Sequence, residues 1–364
     1  MLSTDKRWKQ FGDVLVNYCT EVKPGEKVMI AMHEPETWSL ALATYEAAVK
    51  AGGLPQIQMK SEYLRRAFMK YGNVEQFSWV PEIEMMGMDW ADCYIGLRGG
   101  FNLDIYHDIP ADIIAKNQAA HGVVSASRTK NTRWVITRVP NAAFAQQSGM
   151  DFETITDMYF DSVLLDYKKE FKIWDSWAQK LKDADQVHIL GKNTDLRFSV
   201  KGVKWGADSG KGNIPGGEIA TGVINPTLDG HIYFENPAVL GGQLMHDTYI
   251  EWKNGKFVKA TSSTNQDYLH RILATDSGSN LLGEFAFGTN PGITSFSNDI
   301  LWDEKIYGTI HVALGRSYDF YESEEAKNDS AIHWDIIKDM RQEGEVIVDG
   351  VTVMKGGKLL FDEI

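Results

Sequence analysis

The sequence predicts an α/β amino-terminal domain with a parallel sheet, followed by a strand-rich α+β carboxyl-terminal domain. Three observations predict it. Strand-like and helix-like segments alternate up to residue 185. Beyond that point strand-like runs follow one another in quick succession. The chain has 364 residues, room for about two domains. The expected division is 1–185 and 186–364.

Residues 1–22 predict a helix, with Trp8, Phe11, Val14, Leu15 and Tyr18 at helical spacing. A Pro-Gly turn leads into a strand over 27–32. The Ala-rich stretch 36–52 has a helical period and stops at Gly52-Gly53. Strands are expected at 56–59, 92–99, 121–127 and 132–140, then helices at 151–166 and 169–184, with Asp151 as N-cap of the first. QVHILG, LRFSV, GHIYFEN and TYIEWKNGKFVKA then read as strands, and Asn254-Gly255 marks a hairpin. A helix is expected over 265–276, and the chain closes on a β meander with turns at Asp349-Gly350 and Gly356-Gly357.

Composition narrows the function. Apolar residues make up 43% and charged residues 24% of the chain, the balance of a folded globular protein. A net charge of −13 disfavours nucleic-acid and anionic-lipid surfaces, which need clustered Lys and Arg. Cys19 and Cys93 lie far apart outside any CxxC motif, as expected of reduced thiols. The amino-terminal segment carries charge throughout, unlike a signal peptide, and no apolar run is long enough to span a bilayer. A cytoplasmic location and no nucleic-acid or membrane partner are therefore expected. No phosphate-binding loop, dinucleotide fingerprint, GxSxG elbow or HExxH is present.

The chemistry concentrates in the last third. IPGGEIATG carries Glu218, and LLGEFAFGTNPG carries Glu284. DEKIYGTIHVALGRSYDF carries Asp303, Glu304, His311 and Tyr318, and SAIHWDII carries His333 and Asp335. On a strand, His333 and Asp335 point to one side and Trp334 to the other. Imidazole and carboxylate together make a ready ligand pair. His311 and Glu284 sit in apolar runs, where a buried charge needs a compensating partner. A metal centre supplies one partner for all of them, and the adjacent glycines permit close approach.

GGEI, GEFAFGTNPG, DEKIYGTIHVALG and SAIHWD resemble the signature segments of the aminopeptidase T family of metallopeptidases, which includes thermophilic and staphylococcal leucyl-type aminopeptidases. WVITRVPNAAFAQQSGM and the helix ending LLD resemble its amino-terminal domain, so the resemblance covers roughly 8–362. It implies a homodimer with two divalent metal ions in the carboxyl-terminal domain, zinc or cobalt, with manganese or iron also compatible. It also implies hydrolysis of the N-terminal residue of a short peptide or amino-acyl substrate by metal-activated water. By motif match, Glu218, Glu284, Glu304, His311, His333 and Asp335 take the ligand positions. Glu218 or Glu284 would move the proton of the attacking water, and Tyr318 would stabilise the oxyanion. The step from Glu304 to His311 is longer here than in better-known members, and the stretch from Tyr318 to His333 is shorter.

Three other readings compete. Ring-cleaving 2,5-dihydroxypyridine dioxygenases are similar to this family and keep only a His…HxD triad on one ferrous ion, which His311, His333 and Asp335 would satisfy. Such an oxygenase has no need of Glu218 and Glu284, whose presence favours the hydrolase. A catalytically altered relative could act on a non-peptide substrate. A binding protein on a degenerate hydrolase fold would not be expected to keep every ligand type.

Overall fold

The computed structural model describes residues 4–102 and 104–363; the first three residues of the expected opening helix lie outside them. Two compact units emerge: Met1–Leu164 with Gly210–Ile214, and Leu165–Ser209 with Pro215–Ile364. The division thus falls earlier than 185. The helix Tyr167–Lys180 belongs to the second unit, where Trp177 Nε1 donates to Asp362 Oδ1 at 2.7 Å and Tyr167 packs against Trp174.

The first unit is a five-stranded parallel sheet in the order Leu54–Lys60, Lys27–His33, Cys93–Arg98, Arg133–Arg138, Gly212–Asn213. The central strands are buried almost end to end, as expected where helices cover both faces of a parallel sheet. The opening helix runs over Arg7–Val14 and loosens into a π turn at Leu15–Cys19. Gly12 is required there: a Cβ would lie 2.7 Å from the backbone of Ala43 on the helix Trp38–Lys50.

One expectation is corrected. Residues 121–127 are not a strand; they lie inside the helix Ala111–Asn131. Val123-Val124 suggested a strand by β-branching, but the buried positions are Asn117, Ala120, Val124 and Ser127, spaced as a helical face. The helices Glu62–Tyr71, Val74–Phe77 and Glu82–Trp90 were not anticipated. Each buries a single residue.

The second unit holds an eight-stranded antiparallel sheet that includes the Asn254-Gly255 hairpin and the closing meander. The turn residues Asn254, Gly255, Asp349, Gly350, Gly356 and Gly357 all have positive φ, as the turn dipeptides imply. A five-stranded antiparallel sheet runs in the order His333–Asp339, Thr309–Gly315, Leu282–Gly288, Glu218–Thr221, Gly206–Ala207. One of its faces is apolar and packs toward the larger sheet, with Phe285 5.3 Å from Phe198 between ring centres. Cys19 and Cys93 are buried free thiols. No helix among the described residues is long and apolar enough to cross a membrane.

Candidate metal centre

The other face of the five-stranded sheet gathers the predicted ligands. Across an antiparallel pair, directly opposed residues project from the same face. Glu218 opposes Gly288, Glu284 opposes Ala313, His311 opposes Ala286, His333 opposes Gly315 and Asp335 opposes Ala313. Chaining these pairs places Glu218, Glu284, His311, His333 and Asp335 on one face, each across from glycine or alanine on at least one neighbouring strand, with Ile337 also opposing His311. The opposite face carries Phe285, Phe287, Val312, Leu314 and Trp334, all fully buried. The alternation of the strands therefore separates core from chemistry, and the small residues leave room above the sheet. At Gly288 no larger residue fits, since a Cβ would fall 2.1 Å from the Ile306 carbonyl oxygen.

The side chains converge. Ligand atoms of Glu218, Glu284 and His311 lie within 4.8 Å of one another. His311 Nε2 is 3.3 Å from Glu284 Oε1 and 3.5 Å from Glu218 Oε2. His333 Nε2 is 3.3 Å from Asp335 Oδ1 and 3.7 Å from Glu284 Oε2. Each imidazole is oriented by its other nitrogen: His333 Nδ1 donates to the Arg316 carbonyl at 2.7 Å, and His311 Nδ1 to the Glu304 carbonyl at 3.2 Å. Both Nε2 atoms are thereby aimed into the cluster.

Glu304 arrives from outside the sheet, just after the short helix Ile300–Asp303. Its carboxylate meets Lys305 Nζ at 2.9 Å. Lys305 was not foreseen. It is 2% exposed and also contacts Glu218 Oε1 at 2.6 Å and Asp208 Oδ2 at 3.5 Å. The signal available was a lysine between Glu304 and the apolar start of IYGTIHVALG, which reads equally well as a surface residue. Asp303, also noted in the sequence, faces elsewhere and accepts from Ser297 N and Oγ, both at 2.7 Å. Tyr318 lies at the rim, half exposed, its ring centre 4.6 Å from that of His333.

Electrostatics mark the cluster as under-compensated. Burial alone would lower His311, but the Glu284 hydrogen bond and the charges of Glu218 and Asp335 push it up to about 9. Burial likewise opposes the rise of His333, yet the Asp335 hydrogen bond and charge carry it to about 10. Burial, resisted by Lys305 and reinforced by Glu218 and Asp335, lifts Glu304 to about 8. Burial and the charges of Glu284 and Asp335 raise Tyr318, so its phenol stays protonated and able to donate. Glu284 Oε2 is buried and accepts no hydrogen bond. An unsatisfied carboxylate oxygen beside two imidazoles is the environment a divalent cation would complete.

Residues 4–360 match the family model described as thermophilic metalloprotease (M29). Aminopeptidase T of Thermus thermophilus is 31% identical over 147 residues, 36% of this chain and 35% of that protein. Aminopeptidase T of Thermus aquaticus is 25% identical over 56% of each chain. Aminopeptidase AmpS of Bacillus subtilis is 28% identical over 46% of this chain and 45% of its own. The aligned region thus spans between about a third and just over half the length of these curated relatives. Among solved structures, wild-type AmpT from Thermus thermophilus superposes with a TM-score of 0.87 at 18% identity, over 98% of this chain and 100% of that one. The 2,5-dihydroxypyridine dioxygenase of Pseudomonas putida KT2440 superposes less well, with a TM-score of 0.62 at 11% identity over 97% and 96%. Both similarities concern the fold, whereas the family match runs through nearly the whole sequence: the chain belongs to the M29 family of thermophilic metalloproteases.

Proposed function

We propose that the chain is a metal-dependent aminopeptidase that removes the N-terminal residue of short peptides. One observation carries the reading: Glu218, Glu284, His311, His333 and Asp335 share one sheet face whose opposed positions are mostly glycine and alanine. Family membership supports it, as do the aminopeptidase relatives.

The donor set fits divalent metal. Imidazole with carboxylate suits zinc, cobalt, manganese or iron, and we favour zinc or cobalt. Asp208, Glu218 and Glu304 contact the Lys305 ammonium, and Glu284 and Asp335 contact the imidazoles of His311 and His333, so with both imidazoles neutral the five carboxylates carry an excess of negative charge. That excess of negative charge matches two divalent ions better than one, which is why the dinuclear form is preferred over the mononuclear oxygenase. Glu218, Glu284, Glu304, His311, His333 and Asp335 would hold the ions. When bound, such ions polarise a scissile carbonyl and lower the pKa of water. Glu218 or Glu284 would accept a proton from the attacking water and return it to the leaving amine. Tyr318, protonated and at the rim, would donate to the oxyanion of the tetrahedral intermediate. Remaining acidic groups would receive the free α-amine of the substrate. A cytoplasmic homodimer with no nucleic-acid or membrane partner completes the proposal.

Elemental analysis of purified protein, paired with a panel of amino-acyl amides and dipeptides, tests it. Two zinc or cobalt ions per chain and release of the N-terminal residue are expected. One iron per chain with no amide hydrolysis would overturn the reading in favour of the oxygenase.

A further inference from the structure

In the first unit, the carboxyl ends of the parallel strands open into a cavity of about 510 Å³. It lies where the strands ending at His33, Lys60 and Arg98 stop. Open parallel sheets bind ligands at that edge. None of the metal-centre residues lines it.

Its wall combines aromatic and cationic groups. Trp79, Tyr94 and Tyr106 supply rings, and Arg65, Arg98 and Arg128 supply guanidinium groups. Two carboxylates also line it. Glu84 is engaged by Lys60 at 2.5 Å, and Glu62 is raised by burial and by the neighbouring charge of Glu34. Arg65 Nε donates at 2.7 Å to Asn117, a neutral acceptor. Among the described residues, none of the three arginines makes an ion pair within 4.0 Å. In a chain of net charge −13, such a cluster is unusual. Its field is visible at His33, which burial and the cations Lys60, Arg98 and Arg65 press down to about 3.

Two donors in this cavity are left unsatisfied. Arg128 is fixed by stacking, its guanidinium carbon 4.4 Å from the centre of the Trp134 ring and 5.4 Å from that of Tyr94. One of its terminal nitrogens donates to Ser125 Oγ at 3.3 Å, but the buried Nε has no acceptor. The buried Tyr106 hydroxyl proton has no acceptor either; its oxygen faces the Arg65 guanidinium. Burial pushes that phenol up to about 12, so it remains a donor at working pH. Buried donors without acceptors are costly, and a pre-oriented guanidinium matches a planar anion.

We propose that this cavity binds a small organic anion, a carboxylate on an aromatic body, whose oxygens satisfy Arg128 Nε and the Tyr106 hydroxyl. The rings of Trp79 and Tyr94 pack on the body. A bare inorganic anion would leave those rings uncovered, and a neutral isostere would leave the donors facing uncompensated cations.

Isothermal titration of the full chain with 3-phenylpropanoate tests this, with 3-phenylpropanamide and inorganic phosphate as comparison arms. The acid is expected to saturate one site per chain with a Kd of about 1 mM or tighter. The amide and phosphate should bind at least about tenfold more weakly. Tyr106→Phe removes a hydroxyl whose proton has no acceptor, so Tm should change little while affinity for the acid falls about tenfold. Arg128→Lys keeps the charge but removes Nε, and should also weaken binding. Equal binding of acid and amide, equal binding of phosphate, no saturation by the acid, or binding unchanged in both variants would each overturn the proposal.

Discussion

Glu284 concentrates the chemistry at the scale of single residues. It is 4% exposed, touches His311 through one oxygen, and leaves the other without a hydrogen bond. Glu284→Gln preserves shape but replaces one anionic oxygen with an amide. Metal affinity should fall by about 100-fold, read by competition with a chromophoric chelator, while the fold persists. Lys305 makes the converse case. It is the buried ammonium among Asp208, Glu218 and Glu304. Lys305→Met strands those carboxylates and should destabilise metal-free protein by about 3–5 kcal/mol in urea titrations. Added metal should recover part of the loss. These two residues also show what a sequence reveals. Glu284 was legible because a carboxylate between Gly283 and Phe285 in an apolar run has no reason to be there without a partner. Lys305 was not legible, because its burial arises from segments distant in the chain, and nothing local separates it from a surface lysine.

At the scale of elements, strand alternation builds the site. The i, i+2 spacing of His333 and Asp335 fixed their common face before any tertiary information, and the register with Thr309–Gly315 then placed them beside His311. Which strands would be neighbours was not legible, since sheet order depends on long-range pairing. The small floor residues make a direct prediction. Ala313→Leu, across from both Glu284 and Asp335, fills the space above the sheet. It should cost about 1–3 kcal/mol and abolish metal uptake, measured by thermal unfolding and elemental analysis. On the opposite face, Trp334 is fully buried and donates to the Val239 carbonyl at 3.0 Å. Trp334→Ala should cost about 3–5 kcal/mol through the cavity it leaves. The helix Ala111–Asn131 marks the opposite limit of sequence reading. Its β-branched pair Val123-Val124 reads locally as a strand, and only the longer spacing through Asn117 and Ser127 reveals the helix.

For the whole molecule, the cluster links metal, protons and stability. In metal-free protein His311 and His333 titrate near 9 and 10, above the ordinary imidazole value of 6.5, and Glu304 near 8, above 4.5. A group whose folded pKa is raised contributes stability that is present below its unfolded value and is lost as pH rises through the folded one. The metal-free chain should therefore lose stability between about pH 4.5 and 10, most steeply between about 6.5 and 8, where all three groups contribute. Metal binds the deprotonated groups, so its affinity should rise over the same interval, with protons released on uptake. The gap in Tm between metal-loaded and chelated protein should widen steadily with pH; a gap that narrowed would contradict the assignment of these imidazoles as ligands. The two-unit organisation was legible in outline, because the textures of alternating and consecutive strands differ. Its boundary was not, since the helix Tyr167–Lys180 looks like a continuation of the α/β pattern although its contacts belong to the second unit. The most direct measurement is anomalous diffraction at the cobalt edge from crystals grown with cobalt. The account predicts two peaks bounded by the carboxylates of Glu218, Glu284, Glu304 and Asp335 and the Nε2 atoms of His311 and His333. Full cobalt occupancy elsewhere with no peak among these side chains would contradict it.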